Sequence, residues 1–390
     1  MTPGARVQAA IEILDQVIAA ARANGAPADR LIGDWFRTRR FAGSKDRRAV
    51  RELAYRAIRA CGEVPETGRA AMLRVAAEDR EVAALFDGTG HSPAAIVAGE
   101  PVAEAGLAPQ WLVERFAASG VAAADAAALL DRAPLDIRVN TLKAASLALP
   151  EGGERSVAAN GWRYPPETRI EQSAAYVQGA IEVQDTGSQL TCEVVAARAG
   201  ETIMDLCAGA GGKTLALAAA MDNSGALVAC DTDRTRLSRL APRAERAGAT
   251  GIETVLLDPG KELQALQRFA GAADAVLVDA PCSGTGTWRR NPEARWRLTE
   301  AQLGRYVATQ SRLLDIAAQL VKPGGRLVFV TCSLLDEEGA KQAEGFLKRH
   351  PDWSAAMPDL PVGTPRGPGL RLSPWHDGTD GFFVARFERL

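Results

Sequence analysis

Met204-Asp-Leu-Cys-Ala-Gly-Ala-Gly-Gly-Lys-Thr214 decides the fold, because it reads as a short apolar strand, a glycine-rich turn and an immediate helix start. Such a turn lets backbone amides approach a polar or anionic ligand at a helix N-terminus. Two familiar versions fail by one residue each. A dinucleotide fingerprint G-x-G-x-x-G counted from Gly209 needs glycine at 214, where Thr214 stands. A phosphate loop G-x-x-x-x-G-K-[ST] ending at Thr214 needs glycine at 207, where Cys207 stands.

Outward from this loop, strands alternate with helices. The pattern predicts strands at Thr202 to Cys207, Ala226 to Asp231, Ile252 to Asp258, Ala275 to Ala280, Gly325 to Thr331 and Phe382 to Phe387, with helices from Lys213, Arg234 and Lys261, around 299 to 320 and near 338 to 349. Apolar strands in βαβ alternation imply an α/β, Rossmann-like, doubly wound and mostly parallel sheet that binds ligand at the carboxyl ends of its strands. Asp231, Asp258 and Asp279 end the second, third and fourth strands, so three acids and the glycine loop converge on one crevice. Asp231 lies about 20 residues past the glycines, where a carboxylate can accept both ribose hydroxyls. A nucleoside ligand without phosphates fits this arrangement, and S-adenosylmethionine is the expected cofactor. Cys207, Ala208, Gly209, Ala210, Gly211, Gly212, Lys213, Asp231, Asp258 and Asp279 are its expected binding residues.

Upstream, residues 1–130 are rich in Ala and Arg and carry helical stripes such as Val7, Ile11, Leu14, Ile18 and Val50, Leu53, Ala54, Ala57, Ile58, which predicts a helical domain. Ser44 is the expected N-cap of the second stripe, and Gly62 with Pro65 the expected stop. Residues 131–184 change to short extended runs, Leu135 to Asn140 and Ile181 to Gln184, read as a small α+β linker domain. Residues 185–390 form the catalytic domain. The 390 residues hold 47% hydrophobic and 24% charged side chains, ample for hydrophobic cores. No apolar run reaches the roughly 18 residues of a membrane span, and no signal-peptide stretch opens the chain, so a cytoplasmic protein is expected.

A net charge of −2 argues against non-specific coating of nucleic acid, so any RNA partner must meet local basic patches. Two segments qualify: 34 to 51, with Arg37, Arg39, Arg40, Lys45, Arg47, Arg48 and Arg51 against Asp34 and Asp46 and its densest part at 37 to 48, and 288 to 297, which reads Trp-Arg-Arg-Asn-Pro-Glu-Ala-Arg-Trp-Arg. The competing reading of each is a solvated charged face.

Six cysteines without Cys-x-x-Cys spacing, alongside three histidines, suggest neither a disulfide framework nor a metal site. Cys61, Cys192, Cys207 and Cys230 read as small buried apolar residues. Cys282 and Cys332 differ, because each follows a predicted strand and lands at the rim that carries the glycine loop. Asp279-Ala-Pro-Cys-Ser-Gly-Thr-Gly286 and Thr331-Cys-Ser333 join Val183-Gln-Asp-Thr-Gly-Ser-Gln-Leu190, Asp205-Leu-Cys-Ala-Gly-Ala-Gly-Gly-Lys-Thr214, Lys322-Pro-Gly-Gly325 and Thr379-Asp-Gly-Phe-Phe383 in one ordered series. That series resembles the motifs of the Sun-type, RsmB-like RNA 5-methylcytosine methyltransferases. Arg138-Val-Asn-Thr-Leu-Lys143 resembles the small α+β region of that family. Arg39-Arg-Phe-Ala-Gly-Ser-Lys-Asp-Arg-Arg48 resembles its NusB-like helical RNA-binding domain. The family loop usually reads Ala-Pro-Gly-Gly-Lys, while Gly209-Ala210 stand here.

The chemistry accounts for these residue types. Carbon 5 of cytosine is a poor nucleophile until a thiolate adds to carbon 6 and converts the ring to an enamine. The resemblance implies that Cys332 is this nucleophile and that Cys282 assists product release, while Asp279 is the candidate to bind the N3 edge of the ring. DNA enzymes use the Pro-Cys thiol instead, and the Thr331-Cys332 pair points to RNA. Small-subunit ribosomal RNA is the implied substrate, rRNA processing the implied setting, and a monomer without metal or membrane association the expected form. An RNA-binding assembly factor that has lost catalysis is the alternative, ahead of a nicotinamide-dependent oxidoreductase.

Overall fold

The computed structural model describes residues 1–143 and 148–390; residues 144–147 of the expected linker region lie outside it. The chain forms two compact units, one of residues 1–131 with 287–299 and the other of residues 132–286 with 300–390.

The first unit is helical, as its stripes require. Helices Pro3–Arg22, Ala28–Arg37, Ser44–Ala60 and Gly68–Glu78 bury Val7, Ile11, Leu14, Ile18, Val50, Ala54 and Ile58 in one core. Ser44 is the first residue of its helix rather than the cap, which is Gly43 and supplies no side-chain hydrogen bond. That helix ends at Ala60, ahead of the expected Gly62 and Pro65 stop.

Residues 287–299 are an integral part of this core, which corrects both readings of the basic segment 288 to 297. The side chains of Trp288 and Arg295 are 0% exposed and Trp296 packs into the core cluster. Arg295 donates to the carbonyls of Ile58 (2.6 Å) and Cys61 (2.8 Å), satisfying carbonyls at the end of helix Ser44–Ala60 where its positive charge also meets the negative pole of the helix dipole. Arg297 donates to Gly25 and Ala26 carbonyls just beyond helix Pro3–Arg22, both at 2.6 Å. Glu293 accepts the Ala28 amide at 2.9 Å, at the first turn of helix Ala28–Arg37. One short segment thus closes the ends of three helices. Burial pushes the Arg295 guanidinium down to about 10, still charged at neutral pH.

The second unit holds two sheets. The smaller comprises β1 (Leu135–Val139), β2 (Glu154–Arg155), β3 (Gly161–Tyr164) and β4 (Ile181–Val183) in the order β2-β3-β1-β4, all antiparallel. The larger comprises β5 (Thr202–Asp205), β6 (Ala226–Asp231), β7 (Ile252–Leu256), β8 (Ala273–Asp279), β9 (Val321–Thr331), β10 (Trp353–Ala356), β11 (Thr364–Arg366), β12 (Gly369–Leu372) and β13 (Phe382–Arg389). Its order is β11-β12-β13-β9-β8-β5-β6-β7, with β10 paired to β13. The run β9-β8-β5-β6-β7 is parallel throughout, as the apolar β6 and β8 sequences demand of strands covered on both faces. β13 returns antiparallel beside β9 and carries the β10, β11 and β12 wing, which periodicity did not reveal. The chain moves outward from β5 to β6 and β7, then crosses to β8 on the other side of β5. That reversal is the topological switch point, and the crevice it opens lies beyond Asp205 and Asp279. Among the described residues no helix is long and apolar enough to cross a membrane, and no group of His, Cys, Asp and Glu could hold a metal ion.

Candidate active site

The glycine loop runs from the end of β5 at Asp205 to helix Gly212–Ala220. Gly211 sits at φ 87°, in the left-handed region, and a Cβ there would stand 2.1 Å from Leu240 Cδ1, so glycine is required twice over. Neighbouring strands hold the loop by its backbone. The Ala208 amide donates to the Cys230 carbonyl at 2.8 Å, and Arg243 donates to the Ala210 carbonyl at 2.8 Å. The Gly209 amide donates to Asp231 at 2.7 Å, so the replacement of the usual Ala-Pro by Gly209-Ala210 leaves the loop anchored at both residues.

Asp231 ends β6 as expected and is buried. Its two carboxylate oxygens accept the amides of Gly209 and Asp233, each at 2.7 Å. A carboxylate offers about four acceptor positions, which leaves two for a diol. Asp258 is exposed and lies two residues past the end of β7, so the expected strand is shorter than read and the side chain belongs to the following turn. Cys207 falls in the loop rather than on the strand and is half-buried.

At the switch point Lys213, in the first turn of its helix, donates to Asp279 at the end of β8 at 2.7 Å. Burial alone would lower the lysine, but the attached Asp279 charge outweighs it and holds Lys213 above its ordinary range, firmly cationic. Asp205 is 0% exposed at the end of β5; burial raises its carboxyl to about 7 against the opposing hydrogen bond from Thr214 (2.7 Å). Its second oxygen is buried without a hydrogen-bond partner. A cationic donor would satisfy that oxygen, and S-adenosylmethionine carries one in its amino group. The donor set therefore fits the cofactor: Asp205 toward the cationic tail, the loop amides around it and Asp231 toward the ribose.

Cys282 follows β8, Cys332 follows β9, and their sulfurs lie 3.3 Å apart. Both are half-buried, whereas Cys61, Cys192 and Cys230 are buried and raised by burial to about 11, 11 and 12, as structural thiols should be. The contact with Cys332, followed by burial, pushes Cys282 well above the ordinary thiol range, so Cys282 keeps its proton. The two thiol loops are stitched together: Thr285 Oγ1 lies 2.9 Å from Ser333 Oγ and accepts the Leu334 amide at 3.1 Å, and the Gly286 amide donates to the Cys332 carbonyl at 3.0 Å. Gly286 and Gly381 meet backbone to backbone, since a Cβ on Gly286 would stand 2.0 Å from the Gly381 carbonyl. This explains why glycine recurs in both motifs.

Sequence reasoning missed Asp205, which stood inside the quoted loop and ends a strand as Asp231 does. It also missed Glu338, because Asp336-Glu337-Glu338 reads as a solvated acidic run while Asp336 and Glu338 are buried.

The parallel five-strand core, its glycine loop and the acids at the strand ends define a Rossmann-like methyltransferase fold. Residues 192–388 match the family model of the 16S rRNA methyltransferases RsmB/F, and the chain belongs to that family. The probable ribosomal RNA small subunit methyltransferase B of Synechocystis sp. is 34% identical over 301 residues, covering 72% of this chain and 66% of that protein. Ribosomal RNA small subunit methyltransferase B of Salmonella arizonae is 37% identical over 232 residues, 57% of this chain and 52% of that protein. The chain thus spans between half and two thirds of these relatives. The crystal structure of PH0851 superposes with a TM-score of 0.79 at 26% identity, covering 100% of this chain and 99% of that one. The structure of NSun6 from Pyrococcus horikoshii with SFG shares the fold at a TM-score of 0.59 and 18% identity, over 67% of this chain and 92% of that one.

Proposed function

We propose that the chain transfers a methyl group from S-adenosylmethionine to carbon 5 of a cytosine in RNA, with small-subunit ribosomal RNA as the substrate class. The observation that carries this reading is the pair of thiols 3.3 Å apart on adjacent strand ends, beside the Lys213–Asp279 pair. A single nucleophilic cysteine would explain one thiol, and a structural cysteine neither. Bound S-adenosylmethionine supplies an electrophilic methyl group. Cys332 adds as thiolate to carbon 6 of the base, forming the carbon–sulfur bond and making carbon 5 electron-rich. Asp279, held by Lys213, accepts a hydrogen bond from the protonated N3 edge of the adduct. After methylation the carbon 5 proton passes to a water, the carbon 5–carbon 6 double bond re-forms and the carbon–sulfur bond breaks, and the Cys282 thiol 3.3 Å away serves this release by hydrogen-bonding the departing Cys332 thiolate. The exposed basic segment 37 to 48 of the helical, NusB-like unit meets RNA phosphates. Arg40, Lys45 and Arg48 are exposed there, and the Phe41 ring is 73% exposed among them, suited to stacking on an unpaired base.

The two thiols give the test. Cys332→Ala should bind cofactor, form no adduct and transfer no methyl group. Cys282→Ala should methylate and then stall as protein joined to RNA, visible as a shifted band on denaturing electrophoresis. The reverse pattern makes Cys282 the nucleophile, and full activity in both variants overturns the reading. Bisulfite sequencing of RNA with and without the gene then locates the base.

A further inference from the structure

Glu338 stands outside every motif used so far, yet its carboxylate is 0% exposed beside the two thiols. One oxygen accepts the Ser283 amide at 2.8 Å and the Gln310 side-chain amide at 3.1 Å; the other accepts the Ser283 hydroxyl. Gln310, from helix Glu300–Leu320, also donates to the Pro281 carbonyl at 3.0 Å. The carboxylate therefore grips the residues on both sides of Cys282, directly at 283 and through Gln310 at 281. Cys332 is held by other means: the β9 ladder runs up to Thr331, Gly286 takes the Cys332 carbonyl, and the Ser333–Thr285 contact fixes the next residue. Two links run from Glu338 toward that strand: Thr331 Oγ1 donates to the Glu338 carbonyl at 3.1 Å, which is backbone and survives any side-chain change, and the Ser283 hydroxyl lies 3.4 Å from Ser333 Oγ, which Thr285 Oγ1 holds independently at 2.9 Å.

We infer that Glu338 is a positioning residue for Cys282 alone, setting the release thiol against Cys332 while leaving the nucleophile in place. A buried carboxylate that accepts three donors is costly to leave unfilled and fixes its donors in one arrangement. Removing it frees residues 281–283, so Cys282 drifts from the adduct while Cys332 still attacks. The inference rests on the proposed division of labour between the thiols, and the experiment separates the two.

The full-length protein is incubated with total small-subunit ribosomal RNA and labelled S-adenosylmethionine, and both single-turnover methyl transfer and covalent protein–RNA product are measured. Glu338→Ala should raise the covalent species at least tenfold over the native protein, with the methyl-transfer rate within a few-fold. Glu338→Gln keeps an acceptor at one oxygen and a polar partner for the Ser283 hydroxyl at the other, and should restore near-native release. A purely structural role would lower transfer and adduct together, with no accumulation, and would overturn the inference. If Glu338→Ala fails to fold, Ser283→Ala removes one of the three donors and must itself accumulate adduct; a native level sinks the idea. Cys282→Ala is the reference: adduct there but not in the Glu338 and Ser283 variants defeats the inference alone, and no adduct in Cys282→Ala defeats the thiol assignment and the inference with it.

Discussion

Two arginine-rich segments of the helical unit have opposite fates. Residues 37 to 48 stay largely in water, where Arg40, Lys45 and Arg48 crowd the first turn of helix Ser44–Ala60 and the loop before it. Cations there oppose the helix dipole, a small cost that stability alone does not explain. Residues 288 to 297 are largely buried, with the Arg295 and Arg297 heads on carbonyls and both tryptophans buried. The difference lies in what accompanies the charge. Trp288 and Trp296 carry enough apolar area to pull their segment inward, and helix ends offer unsatisfied carbonyls to receive the guanidinium groups. Phe41 is a single, smaller ring and cannot do the same, although Arg47 donates to the Ala42 carbonyl beside it at 2.9 Å.

The comparison can be broken most forcefully at Arg295. Arg295→Ala leaves helix-end carbonyls unpaired in a dry core and should destabilise the protein by about 3 kcal/mol or more, lowering the melting temperature by roughly 10 °C. Calorimetry that finds an unchanged transition would return the 288 to 297 segment to the surface.

Asp205 extends the contrast to a buried acid. Its folded pKa of about 7 lies well above the ordinary carboxyl value of 3.8, so between those limits the folded state binds more protons than the unfolded one. Stability of the cofactor-free protein should therefore fall as pH rises from 4 to 7 and level off above. Asp205→Asn removes this dependence and should gain a few kcal/mol, about 2–4, by pH 8, while weakening cofactor affinity. Denaturant midpoints at pH 5 and pH 8 decide it, and parallel profiles for the two proteins would refute the burial argument.

The smallest effect belongs to the exposed segment. Replacing Arg40, Lys45 and Arg48 together by Ala should leave the melting temperature nearly unchanged, while reducing the slope of log affinity against log salt by about 2 for single-stranded RNA. An unaltered slope would assign the segment to plain solvation.

Much of this was legible in the chain itself. The α/β alternation, the glycine loop and the strand ends at Asp231 and Asp279 follow from periodicity and composition, because buried parallel strands must be continuously apolar. The pairing of Cys282 with Cys332 followed from placing both after strands of one sheet. The 288 to 297 segment was misread because charge patterning reports composition, and only the tertiary fold supplies the carbonyls that make burial of arginine tolerable. Glu338 was hidden for the same reason: an acidic run looks solvated until the amides that bind it are known. The β10, β11 and β12 wing escaped because strands of three or four residues carry too little alternation to register.

The recruitment of residues 287–299 into the helical core has a consequence for biosynthesis. Domains ordinarily fold in the order in which they leave the ribosome, at about 5–20 residues per second. Here the first 131 residues emerge with the ends of three helices still open, and the segment that closes them is made only after the glycine loop and Cys282 have been translated. At those rates the nascent helical body waits on the order of ten to thirty seconds for its closing piece. Through that interval it is a partly finished core exposing the sites of Trp288 and Trp296, and the completion of the helical unit is timed by the synthesis of the sheet-bearing one.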